Sequence, residues 1–116
     1  MWGNIMYKKR ILIDLDGVLN KYDNEKYDEN NLPEIKEGAD DFLKKLSEFA
    51  ELYLFTSRNL LSAAKWLIEH DLDKYFADVT NIKLPSYLCI DDRAVCFKGD
   101  YNKTLKEIEE FKVYWK

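Results

Sequence analysis

Four acids carry the chemistry open to this sequence: Asp14 and Asp16 flank Leu15, and Asp91 and Asp92 stand side by side much further on. Each pair follows an apolar run, Ile11-Leu12-Ile13 in one case and Tyr87-Leu88-Cys89-Ile90 in the other. Runs of branched, β-compatible residues of this length read as buried strands. A buried strand tolerates carboxylates only at its end, facing something that compensates them. Such an oxygen-only donor set suits a hard divalent cation, and one of the acids can serve as a nucleophile. The plainer reading of Asp16-Gly17, a tight turn, stays open at this point.

A third apolar run, Leu52-Tyr53-Leu54-Phe55, ends in Thr56-Ser57-Arg58, and Lys83 stands a few positions ahead of Asp91. Helical spacing of apolar residues predicts the elements between the runs. One helix is expected over 39–49, with Ala39, Phe42, Leu43, Leu46 and Phe49 on its apolar face. A second is expected over 60–72, with Ala63, Ala64, Leu67, Ile68 and Leu72 inward. A third, over 103–112, carries Leu105, Ile108 and Phe111. Weak strands are expected over 79–82 and 95–97. The polar stretch 20–33 reads as an exposed loop or flap. Strands alternating with helices give an α/β fold with a mostly parallel sheet, whose strand ends share one edge. Along that edge the four acids repel one another unless a divalent cation and Lys83 offset them, and a phosphoryl group fits between those charges. Thr56 offers a neutral donor there, and backbone N–H groups around Ser57 can cradle phosphate oxygens.

With the motifs in this order, the sequence resembles the haloacid dehalogenase-like hydrolases, most of which transfer phosphoryl groups. The DxDG motif stands as Asp14-Leu15-Asp16-Gly17, the strand ending in Thr as Leu54-Phe55-Thr56, the lysine before proline as Lys83-Leu84-Pro85, and the acidic pair as Asp91-Asp92. The resemblance implies a three-layer Rossmann-like fold, one domain over 1–116, with 18–34 as a flap and no cap domain. It implies a Mg²⁺-dependent phosphomonoester hydrolase working through an aspartyl-phosphate. Asp14 would be the nucleophile and Asp16 the acid and then the base. Mg²⁺ would be held by Asp14, the Asp16 carbonyl and Asp92, with Asp91 acting through water. Thr56 would bind a phosphoryl oxygen and Lys83 would neutralise Asp14 and the phosphate. Lys83 lies closer to Asp91 than the family's usual spacing. Lys74 has the better spacing but lacks the proline, and Lys83 is favoured. Ser57, Arg58 and Arg93 are candidate substrate contacts, although either arginine could equally pair with a framework acid.

Two other classes compete: a phospho-acceptor signalling domain, disfavoured by the motif order, and a catalytically idle binding module, disfavoured by the presence of every motif acid. The net charge of −4 over 116 residues makes a nucleic-acid partner less favoured. No stretch reaches the length of a membrane span, and residues 1–7 lack the apolar core of a signal peptide, so a cytoplasmic location is expected. Cys89 and Cys96 lack metal-site spacing, and Cys89 is expected to be a buried, inert thiol. His70 is expected to be structural, and Trp2 and Trp115 are expected to pack. Without a cap, specificity falls to Tyr22, Tyr27 and the arginines around an open site. That suits a phosphorylated substrate, macromolecular or promiscuously small.

Overall fold

The fold is that of a computed structural model, which describes residues 8–24 and 27–116. Trp2 lies outside the described residues. Among the described residues the strands and α-helices are, in chain order, β1 (Lys9–Asp14), α1 (Ala39–Ser47), β2 (Ala50–Phe55), α2 (Leu60–Glu69), β3 (Phe76–Thr80), β4 (Leu88–Ile90) and α3 (Tyr101–Glu110). The four strands form one all-parallel sheet in the order β3-β2-β1-β4, flanked by helices in the Rossmann-like manner.

Register builds the core. Ile11 aligns with Leu52 and Leu88, and Ile13 with Leu54 and Ile90, so branched side chains stack in rows on one face. The steps β1 to β2 and β2 to β3 run in the same direction across the sheet. Right-handed crossovers therefore place α1 and α2 on the same face. There Leu43 and Leu46 of α1 and Ala63, Trp66 and Leu67 of α2 close over Ile11, Ile13, Leu52 and Leu54. Local chemistry sets the helix starts. Asn59 accepts the Ser62 N–H and Asp100 that of Lys103, while Asp40 and Asp41 complement the start of α1.

The first two helices are shorter than their apolar spacing predicts, and the third is as long as expected but begins two residues earlier. α1 stops at Ser47 and leaves Phe49 exposed, and Phe42 and Ile68 also point outward. Trp66 takes the buried place instead, its Nε1–H donating to the Pro33 carbonyl at 3.0 Å. His70 caps α2, stacked on Trp66, in line with a structural role. The strand expected over 79–82 lies earlier, at Phe76–Thr80, and residues 95–97 form no strand. Cys89 is exposed rather than buried, because β4 is a three-residue edge strand and Cys89 alternates away from the core face. Leu105, Ile108 and Phe111 do follow helical spacing, yet they too are exposed. Spacing fixes which face of a helix is apolar but not what covers it.

Residues 19–24 and 27–36 belong to an arm that leaves and rejoins the body at one place. Asn20 and Ile35 make an antiparallel bridge, and Lys21 and Lys36 donate their N–H groups to Glu34 and Leu19 across the base.

Candidate active site

The carboxyl edge of the sheet begins with the turn after β1. The N–H groups of Val18 and Leu19 fold back on the Leu15 carbonyl, and Leu15 and Leu19 are buried beneath. The turn is anchored from below, and Asp14 and Asp16 are left on its upper side. Gly17 has φ +84°, and a Cβ there would lie 2.1 Å from Asp92 Oδ2, so the position excludes every other residue type. Buried Asn20 braces the turn. Its Oδ1 accepts the Gly17 N–H at 3.1 Å and its Nδ2 donates to Asp16 Oδ1 at 3.1 Å.

The first and last acids meet at this edge. Carboxylate oxygens of Asp14, Asp91 and Asp92 lie within 4.8 Å of one another. The Asp14 pKa is pushed up to about 8, first by burial, then by a hydrogen bond with Asp92 and by the charges of Asp91 and Asp92. Three acids crowded this closely, one of them resisting ionisation, form a site short of positive charge. Their oxygen-only donors can converge on a magnesium ion, so the residues fit that metal. The Asp16 carboxylate is not in this group. It faces β2 instead.

Thr56, at the end of β2, is buried, and its Oγ1 accepts the N–H of Arg58 at 3.1 Å. That turn sends Arg58 inward, where it is only 4% exposed. Its Nε–H donates to Asp16 Oδ2 at 2.7 Å, and Nη1 donates to the carbonyls of Asp28 and Glu29 in the arm, at 2.8 and 3.3 Å. One guanidinium thus ties strand, turn and arm together. Its Nη2 is buried and has no partner among the described residues. Of the two readings of Arg58, the framework pairing is the one the structure contains.

A cavity of about 250 Å³ opens between these groups. Asp14, Asp16, Asp91 and Asp92 line it together with Ser57 and Arg58. Tyr22, Tyr27 and Arg93 complete it. Arg93 follows the acid pair, its guanidinium 5.5 Å from the Tyr22 ring and 5.3 Å from the Trp115 ring. Among the described residues it makes no ion pair, which sets it apart from Arg58.

Two residues near the site carry no sequence signal of their own. Tyr114 donates its hydroxyl to the Gly17 carbonyl, and Trp115 donates Nε1–H to Asp92 Oδ2 at 2.6 Å. Trp115 also meets Tyr22 edge-on, with centroids 5.1 Å apart. It does pack, as expected, but it also fixes one oxygen of Asp92, and Asp92 hydrogen-bonds to Asp14 as well. Asn20 is the third residue missed. A hydrophobic run followed by Asp-Gly hints at a turn but not at what holds it.

The two lysines fall at different places. Lys74 precedes β3, at the opposite edge from the acids, and pairs with Asp71 at 2.9 Å. Lys83 comes three residues after β3 ends at Thr80, but by Pro85 the chain is already accepting a bond from Arg10, near the start of β1. It is exposed and is not among the residues lining the cavity.

A parallel α/β sheet that gathers DxDG, Thr-x-Arg and an Asp pair on its carboxyl edge is the architecture of haloacid dehalogenase-like phosphatases. The chain belongs to one of their families, the NLI interacting factor-like phosphatases, whose model matches residues 9–112. No curated protein matches it. Among solved structures it is similar to a conserved protein from Bacteroides thetaiotaomicron, with 25% identity, TM-score 0.61, and 93% of this chain and 95% of that one covered. An uncharacterized protein from Listeria monocytogenes serotype 4b shares the fold, with 16% identity, TM-score 0.53, and 87% of this chain and 61% of that one covered.

Proposed function

We propose that residues 1–116 form a single phosphohydrolase domain that cleaves phosphomonoesters with Mg²⁺ through an aspartyl-phosphate on Asp14. The observation that carries this reading is the convergence of Asp14, Asp91 and Asp92 within 4.8 Å beside the DxDG turn, in a chain of a phosphatase family. Mg²⁺ held by Asp14, Asp92 and the Asp16 carbonyl, with Asp91 through water, would supply the positive charge that lets one anion approach another.

An oxygen of Asp14 attacks phosphorus, the bond from phosphorus to the leaving oxygen breaks, and Asp16, protonated and released from its ion pair with Arg58, gives that oxygen its proton. Asp16 then takes a proton from water, whose oxygen attacks the same phosphorus. Phosphate leaves and the Asp14 carboxylate is restored. Arg58 aims Asp16, and its unpartnered Nη2 is a donor for a phosphate oxygen. Ser57 and Thr56 offer further donors at the end of β2. Lys83 remains our choice over Lys74, since Lys74 is held by Asp71 at the opposite edge. Two free cysteines, both exposed, suit the reducing cytoplasm. Among the described residues no helix is long and apolar enough to cross a membrane.

Turnover of 4-nitrophenyl phosphate with and without Mg²⁺ tests the reading. Activity should appear with the metal and vanish with a chelator, and metal-independent turnover would overturn it. Lys83→Ala should lower the rate well beyond Lys74→Ala, and equal losses would refute the choice of lysine. Trp115→Phe keeps the ring but removes the N–H that orients Asp92. Calorimetric titration should then show Mg²⁺ binding weakened about tenfold, the lower end for a lost partner of a metal ligand. Unchanged affinity would reduce Trp115 to packing.

A further inference from the structure

We propose that the groove beside the acidic cavity, between the arm and the segment that follows α3, binds the leaving group of the substrate. We further propose that this leaving group carries a planar ring and a second phosphate, as in a nucleoside bisphosphate. The proposal rests on the phosphomonoesterase reading for its first phosphate and adds the rest of the molecule.

The groove has a volume of about 430 Å³, within the range of about 300–1,000 Å³ where small-molecule sites fall. It adjoins the catalytic cavity through Arg93, which lines both. Its floor is apolar and partly aromatic, made by Phe111, Val113 and Trp115. Among the described residues, the charged side chains that line it are those of Arg93, Lys112 and Lys116. In a chain of net charge −4 this is a local concentration of cations directly beside a cluster of acids.

The groups that line the two cavities then describe the ligand. Acids awaiting a cation lie first, suited to a metal-bound phosphate. Arg93 follows, with no carboxylate paired to it among the described residues and its guanidinium near the rings of Tyr22 and Trp115. The adjoining groove offers the rings of Phe111 and Trp115, able to stack on a planar group, together with Lys112 and Lys116, able to hold an anion. A base satisfies the aromatic wall and a second phosphate satisfies the lysines. The overall negative charge weighs against a long polynucleotide, whose remaining phosphates would run over acidic surface. A nucleoside bisphosphate keeps its two phosphates within the two cavities.

The test compares kcat/KM for adenosine 3′,5′-bisphosphate, adenosine monophosphate, 4-nitrophenyl phosphate, a sugar bisphosphate and an acidic phosphopeptide. Calorimetric binding of adenosine 3′,5′-bisphosphate to Asp14→Asn protein is measured alongside. The nucleoside bisphosphate should be the preferred substrate. In the double variant Lys112→Glu, Lys116→Glu its advantage over 4-nitrophenyl phosphate should fall about tenfold, as expected for two exposed charge contacts. Phe111→Ala should reduce the advantage of the nucleoside over the sugar bisphosphate. A preference for the sugar bisphosphate or the phosphopeptide overturns the proposal. So does a bisphosphate advantage that survives charge reversal. In either case turnover of 4-nitrophenyl phosphate leaves the phosphatase reading standing. Failure of that turnover sinks the phosphatase reading instead, and the groove is then judged by binding alone: bisphosphate bound and weakened by charge reversal supports it, and no binding overturns it.

Discussion

Asp14→Asn is expected to abolish phosphatase activity and, in the same protein, to raise the stability of the metal-free fold. The amide keeps the shape of the carboxylate but cannot attack phosphorus, so a loss on the order of 10³-fold or more is expected. The stability gain follows from linkage. Asp14 titrates at about 8 in the fold against an ordinary 3.8, because it is buried against Asp91 and Asp92. A carboxyl that holds its proton more tightly when folded costs nothing below its unfolded pKa. It then destabilises the fold progressively as pH rises from about 4 towards 8. Metal-free wild type should therefore lose stability across that window, and Asp14→Asn should lose much less. Mg²⁺ should stabilise wild type at neutral pH. Thermal melts of both proteins between pH 4 and pH 8, with and without Mg²⁺, check this. Parallel curves for the two would remove Asp14 as the strained group.

Arg58→Met should be the most damaging substitution outside the acids. The side chain is buried and joins three parts of the chain through Asp16, Asp28 and Glu29. Methionine fills much of the volume but leaves a partly buried carboxylate without its cation and two arm carbonyls without donors. Breaking a buried pair in this way costs about 3 kcal/mol or more, which for a chain of this size lowers Tm by roughly 10 °C. Arg58→Lys should recover little of it, since an ammonium cannot present the guanidinium fork to Asp16 and the arm together. Limited proteolysis should cut the arm faster in both variants. A Tm within a degree or two of wild type would show that the pair merely coexists with the fold.

The acids were legible because an apolar run that stops at a carboxylate is costly unless the strand ends there. Parallel strands then leave little choice about where Asp14, Asp91 and Asp92 meet. Arg58 and Arg93 were not separable in sequence. Each follows a strand, and only the inward turn at Thr56 sends one to Asp16 while the other stays beside Tyr22 and Trp115. Trp115 and Asn20 act through single hydrogen bonds whose partners no local pattern announces. Trp115 and Asp92 are 23 positions apart. The exposure of Cys89 and of the apolar face of α3 was hidden for a related reason. Alternation and helical spacing describe one element at a time, whereas burial depends on a neighbour. Lys83 fits the family's order of motifs, yet the short return from β3 to β4 carries the chain away from the cavity within a few residues.

In the proposed mechanism Asp14 carries a phosphoryl group between the two steps. Wild type mixed with excess 4-nitrophenyl phosphate and Mg²⁺, quenched in acid within milliseconds and digested, should yield the peptide containing Asp14 heavier by one phosphoryl group. That label should be lost in mild base and absent from Asp14→Asn. Steady turnover with no phosphoryl group on this peptide, or with the label on another residue, would contradict the account.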